Sequence, residues 1–236
     1  MKRVVVPILT LIAVLALAYP TRADVITFTI PPGTLETVGN HPVSATATIT
    51  TSTDTVTIVI TNTQPNPISV SQNISGLELT LSTTPSGSSS ITSSSGVART
   101  VASDGSFSDG ASVATGWALS AAGATLTLNL LGTATAPAHT IIGPPGGATY
   151  SAANSSIAGN VPHNPFLGET ATFVLNVPGV TDSTSVTDLA FLFNTAPGSS
   201  VPGETTPVPE PGSAVLLGFG LLAVGGALKQ RLLRRH

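Results

Sequence analysis

Ser44 to Thr61 reads S-A-T-A-T-I-T-T-S-T-D-T-V-T-I-V-I-T. In its first half Ala45, Ala47 and Ile49 alternate with Thr46, Thr48 and Thr50; in its second, Val56, Ile58 and Ile60 alternate with Thr55, Thr57, Val59 and Thr61. A period of two sends apolar side chains to one face and hydroxyls to the other, the pattern of a half-buried strand. Thr51 to Asp54 supplies the turn, so the stretch predicts a hairpin. Its β-branched residues, stiff at χ1, favour strand over helix.

The same period recurs on both sides. Val25 to Ile30 is a first strand, stopped by Pro31-Pro32-Gly33. Gly76 to Leu81 buries Leu77, Leu79 and Leu81 and leaves Glu78 to water; Ile68 to Ile74 reads as short extended chain. Trp117 and Leu119 begin another strand, and Ala124 to Leu131 sets Leu126, Leu128 and Leu130 against Thr125, Thr127 and Asn129. Thr170 to Val177 buries Phe173, Leu175 and Val177, and Val186 to Asn194, read as the last strand, buries Leu189, Phe191 and Phe193. Pro137 to Tyr150 and Asn154 to Gly168 read as irregular loops, and Ala196 to Val208 as a Pro/Gly/Ser/Thr spacer. The Ser/Gly-rich stretch Ser82 to Thr115 is either a long loop or a loop followed by a weak hairpin. The hairpin would use Val97, Arg99 and Val101, with Ser103-Asp104-Gly105 as its turn, because Val97, Val101 and Phe107 need packing partners. No window of the body, residues 24–195, shows helical spacing over three turns. Short strands joined by Pro/Gly turns predict an all-β fold, an antiparallel β-sandwich spanning residues 24–195, with 196–206 as linker.

Charged residues are 8% of the 236, against roughly 25% in typical soluble domains. Between Asp24 and Pro207 the one cation is Arg99, facing ten carboxylates. Phosphate backbones need a cationic face, so nucleic acid is excluded as a partner. The chain has no cysteine, hence no disulfide and no thiolate site.

Candidate chemistry in the body is sparse. His163-Asn164-Pro165-Phe166 with Glu169 offers half a metal site or a His–acid pair, and His41 and His139 would have to converge on it. A turn bonded to its own backbone is the plainer reading. Asp104-Gly105 and Asp109-Gly110 lack the D-x-D-x-D-G spacing of a calcium loop and read as turns. There is no G-x-S-x-G elbow and no visible Ser/His/Asp trio, so the expectation is no enzyme, no metal and no cofactor. Thr-x-Thr faces match a regular lattice only when flat, and solvent-facing threonine is ordinary on half-buried strands.

The two ends of the chain carry targeting signals. Lys2 and Arg3 precede the apolar run Val4 to Ala18, then Y-P-T-R-A-D. This is the layout of a secretory signal peptide, residues 1–23, cut by signal peptidase between Ala23 and Asp24, with Ala18 as the runner-up. At the other end, Pro209-Glu210-Pro211 is followed by the uncharged run Ala214 to Leu228 and then by Lys229, Arg231, Arg234 and Arg235. The prolines hold Glu210 on an extended tripeptide, the run is a transmembrane helix over 214–228, and the cations stay on the cytoplasmic side.

Residues 207–236 resemble the PEP-CTERM sorting signal, also known as an ice-binding-protein C-terminal domain. The tripeptide, the Leu/Gly/Ala/Val-rich helix and the arginine cluster stand in that family's order. The resemblance implies recognition of Pro209, Glu210 and Pro211 by exosortase, a membrane transpeptidase, after transient residence in the inner membrane of a Gram-negative-type bacterium. It further implies delivery to the cell surface or a biofilm matrix, with exopolysaccharide as a candidate partner. A plain, uncut anchor is the alternative for the tail. The expected function is therefore an exported, non-enzymatic surface or matrix protein, with a carbohydrate-binding or adhesin module, and more remotely an ice-binding protein, as other readings. Exposed aromatics, Trp117 first, would favour the carbohydrate reading.

Overall fold

A computed structural model of the chain describes residues 24–205. It is all-β: thirteen strands join in one hydrogen-bonded sheet, and the one helical element described is the 3₁₀ turn Val70–Gln72. The strands are β1 (Asp24–Thr29), β2 (Ala45–Ser52), β3 (Thr55–Asn62), β4 (Ile74–Leu81), β5 (Ser90–Val101), β6 (Phe107–Val113), β7 (Ala118–Ala122), β8 (Thr125–Asn129), β9 (Ile141–Ile142), β10 (Phe166–Asn176), β11 (Val186–Phe193), β12 (Ser199–Pro202) and β13 (Glu204–Thr205). The 3₁₀ turn falls where extended chain was expected. Ser69 caps it, with its hydroxyl accepting from Ser71 N–H while Gln72 reaches back to the backbone of Ile68 and Ser69.

The predicted β2–β3 hairpin forms, with Thr46 opposite Thr61 and Ile49 opposite Ile58, and the ladder runs on to Ser52 opposite Thr55, so the turn is shorter than Thr51 to Asp54. β10 lies antiparallel on the far side of β3, and β5 on the far side of β10. A second run of pairings joins β7, β8, β4, β11 and β12. Phe28, Ile49, Ile58 and Phe173 from the first run share one buried core with Leu77, Leu128, Leu189 and Phe191 from the second. Burying side chains of that size is the main stabilising term, about 1.5–3 kcal/mol each.

Three expectations are corrected, and of the two readings of Ser82–Thr115 the hairpin is the one observed. Pro137 to Tyr150 is not wholly irregular: Ile141 and Ile142 are fully buried and form β9, which runs parallel to β10 and bridges to Ile74 of β4. That parallel pair makes the sheet mixed where purely antiparallel pairing was expected. The Ser82–Thr115 stretch holds a twelve-residue strand, β5, which pairs with β6 around the Ala102–Ser106 turn; Val101 is buried there, whereas Val97 faces outward. Finally, Val186–Phe193 is not the last strand, and the described part of the expected 196–206 spacer, which ends at Thr205, is not one. Ser199–Pro202 pairs with β11, Gly203 donates its N–H to Leu189 O, and Glu204–Thr205 pairs with β1. The two ends of the strand order, β12 and β13, are thus one continuous piece of chain. A Cβ on Gly203 would lie 3.1 Å from both Leu189 and Phe191 and 3.2 Å from Phe28, so only glycine crosses there without displacing the core.

Candidate functional site

The sorting residues Pro209, Glu210 and Pro211, the cations Lys229, Arg231, Arg234 and Arg235, the 214–228 segment and Ala23 lie outside the described residues. Asp24 is the first residue of β1. Among the described residues no helix is long and apolar enough to cross a membrane. Within the body, two clusters of ionisable groups stand out.

The first is built around Arg99. A register shift between Val97 and Arg99 on the β5–β6 ladder turns this side chain inward, where it is 7% exposed. Asp109, across the hairpin, accepts from Nε at 2.6 Å and from Nη2 at 2.8 Å, a bidentate pair. Nη1 donates to Tyr150 Oη and to Glu169 Oε1, both at 2.9 Å. Tyr150 in turn donates to Gly143 O at 2.8 Å, and the Phe107 ring lies 4.6 Å from the guanidinium carbon. Glu169 sits at φ +61°, the left-handed region, which directs its carboxylate to the guanidinium. Gly168 admits the guanidinium plane, 3.1 Å from where its Cβ would stand. The bond from Asp109 raises the Arg99 pKa despite the opposing effect of burial, and Arg99 holds the Asp109 carboxyl below its ordinary value. Burial pushes the Tyr150 phenol up. Four of the five guanidinium N–H groups are engaged, so the cation is internally satisfied and offers no fork to an incoming anion.

The second cluster cages a carboxylate. Glu36, 1% exposed, accepts N–H bonds from Val38 at 2.7 Å, from Gly39 at 2.9 Å and from His41 at 3.1 Å, and the Ser71 hydroxyl at 2.9 Å. His41 Nδ1 lies 3.3 Å from both Glu36 Oε1 and Ser71 Oγ. Burial would raise the carboxyl pKa, but the N–H bonds of Gly39, His41 and Val38 and the Ser71 hydroxyl outweigh it and hold it below its ordinary value. A serine, a histidine and an acid thus meet, which their positions in the sequence do not announce. They do not form a nucleophilic relay: Ser71 Oγ donates to the carboxylate, is buried, and shares with that carboxylate the same imidazole nitrogen. The cluster instead pins the Pro31–Val43 loop to the 3₁₀ turn. A depressed folded pKa contributes stability that is complete above the unfolded value and disappears as pH falls through the folded one. Glu36→Gln should cost about 2 kcal/mol near neutrality and flatten the loss of stability below about pH 4.5. Denaturant midpoints measured across the acid range check both effects; an unchanged acid slope in the variant would count against this assignment.

The other sequence candidates separate. His163 Nδ1 meets Ser156 O at 2.7 Å while Glu169 goes to Arg99, so the two do not pair. His139 Nδ1 meets Thr115 O at 3.0 Å. No three His, Asp or Glu residues among those described gather as metal ligands. Asp104 accepts from the N–H and hydroxyl of Ser106, a local turn, and Asp109 belongs to Arg99. Trp117 is buried, its indole N–H donates to His139 O at 3.0 Å, and its ring lies 5.1 Å from that of Phe173. It therefore presents no platform for a sugar. No family model, curated protein or solved structure matches this chain.

Proposed function

We propose that the chain is an exported, non-enzymatic surface or matrix protein whose C-terminal segment directs its sorting. The observation that carries this reading is the order at residues 207–236: a rigid Pro209-Glu210-Pro211 tripeptide, an uncharged run over 214–228 and a terminal cluster of four cations. The layout of residues 1–23 supports export, with Asp24 as the residue that cleavage after Ala23 would expose. The body adds a consistent character. Its ion clusters are internally satisfied, and its outward threonines suit an aqueous, hydrogen-bonding setting. We read the sheet as a sandwich, β1, β2, β3, β10, β5 and β6 facing β7, β8, β4, β11 and β12, joined by β9 and by the Ser199–Thr205 segment. Exosortase would grip Glu210 between its two prolines.

Intact-mass measurement of the protein recovered from the producing cells tests this. The expected mature form begins at Asp24 and ends near Pro211, and Glu210→Ala leaves a membrane-retained form still carrying His236. A secreted wild-type chain ending at His236 would refute the sorting role of the tripeptide.

A further inference from the structure

We infer that the threonine face of β1, β2, β3, β10 and β5 is a self-association surface, its partner a second copy of this chain. The paired registers align the outward residues into three rows. Thr29, Thr46, Thr61 and Thr170 form one; Thr27, Thr48, Val59, Thr172 and Ser95 the next; Val25, Thr50, Thr57, Val174 and Ser93 the third. All of these side chains are half-buried or exposed, and Val25 is 51% exposed.

Charge identifies the partner. Residues 24–207 carry one cation against ten carboxylates, net −9, so two copies repel one another across most of their surfaces. The opposite outward face shows the carboxylates of Glu78 on β4 and Asp188 on β11. Within β1, β2, β3, β10 and β5 the three rows hold none, the nearest being Glu204 of β13 opposite Thr29 at the edge of the first row, and they are where two such bodies meet at least electrostatic cost.

Desolvation points the same way. Thr27 and Thr48 share a hydroxyl hydrogen bond at 3.2 Å, and Thr61 and Thr170 another at 3.1 Å. Hydroxyls bonded to each other lose less on leaving water, and the methyl groups with Val25, Val59 and Val174 gain. Shape selects among uncharged partners. Each strand turns about 20–25° from its neighbour, so a planar lattice would touch only part of five strands, whereas a second sheet with the same twist packs across them at roughly −30°. A polysaccharide chain would need a groove or an aromatic platform, and the rows offer neither. With strands about 4.8 Å apart and rows about 6.8 Å apart, the face spans roughly 450–500 Å² per copy. The total of about 1,000 Å² is the lower bound for a specific contact, so the dimer is weak and reversible. This inference does not depend on the tail or its processing.

Sedimentation equilibrium of the full chain in a nonionic detergent tests it. A concentration-dependent dimer is expected, tightening as salt screens the acidic bodies. Thr48→Lys and Thr172→Lys, each placing a charge within the middle row, should weaken it about tenfold or more. Thr127→Lys, beside Glu78 on the opposite face, should leave it unchanged. Circular dichroism identifies any variant that fails to fold, and the wild-type salt series then decides. A monomer at all concentrations, a dimer that loosens with salt, or one indifferent to both middle-row lysines would each overturn the proposal. So would a monomer retained on insoluble cellulose in a Thr48-dependent manner, which would assign the face to polysaccharide.

Discussion

Arg99→Met should destabilise the body by about 3 kcal/mol, the largest effect of any single charge removal in it. Removing one partner of a fully buried pair costs about 3–5 kcal/mol because the other charge is stranded. Asp109 and Glu169 keep 42% and 41% of their side-chain surface open and can rehydrate, which places the loss at the low end. What cannot rehydrate is the inner half of the cluster. Tyr150 Oη, 1% exposed as a residue, loses the N–H it accepts, and the Phe107 ring loses the cation lying over it. Thermal or denaturant unfolding measures the total. Arg99→Met combined with Asp109→Asn should cost less than the sum of the two singles, since they remove a shared interaction. Strict additivity would mean that the bidentate pair contributes nothing.

Gly143→Ala should cost about 3 kcal/mol despite adding one methyl group. The new Cβ would collide with the carbonyl oxygen of Gln64 and stand 3.0 Å from its carbon and 3.1 Å from Asn62 Oδ1. Overpacking usually costs 1–3 kcal/mol, and here the obstacle is backbone, which yields less readily than the end of a side chain. The position is also shared by two hydrogen-bond systems. Gly143 O accepts the Tyr150 hydroxyl, while Asn62, fully buried, donates to Gln72 O and to Ile141 O at 2.9 Å each. Moving the chain at 143 therefore disturbs the Arg99 cluster and the junction of β3, β9 and the 3₁₀ turn together. Gly110→Ala is a useful comparison: its Cβ would meet nothing nearer than Ala98 O at 3.5 Å, an ordinary contact. Equal unfolding midpoints for the two variants would contradict the argument.

How much of this was legible beforehand follows from what periodicity can carry. Strands with one face buried, such as β2, β3, β8, β10 and β11, alternate cleanly, and the inward residues that alternation assigns, from Ala45 to Phe193, are the buried ones. β9 is two isoleucines between loops, too short to have a period, and its identity comes entirely from the strands on either side. β5 hides behind serine and glycine because much of it lies on the exposed side of the sheet, where apolar residues are not needed. β12 and β13 read as a spacer because proline, glycine and serine look alike in a linker and in a chain crossing the end of a core. Of the two ion clusters, Arg99 could have been singled out, since a lone cation among ten carboxylates must find partners. The Glu36, His41 and Ser71 meeting had no comparable signal, because Ser71 is brought in by a capped turn thirty residues away.

The piece of chain from Ser199 to Thr205 also sets the timing of assembly. β1 is made first, yet its outer neighbour is among the last residues of the body to be made, and the same short piece completes β11. A chain released N-terminus first, whether from a ribosome or through an export channel, holds two unsealed borders until those final residues arrive. Its slowest contacts are therefore also its latest, and the interval before they form is when the newborn chain is most open to chaperones and to mispairing with its neighbours.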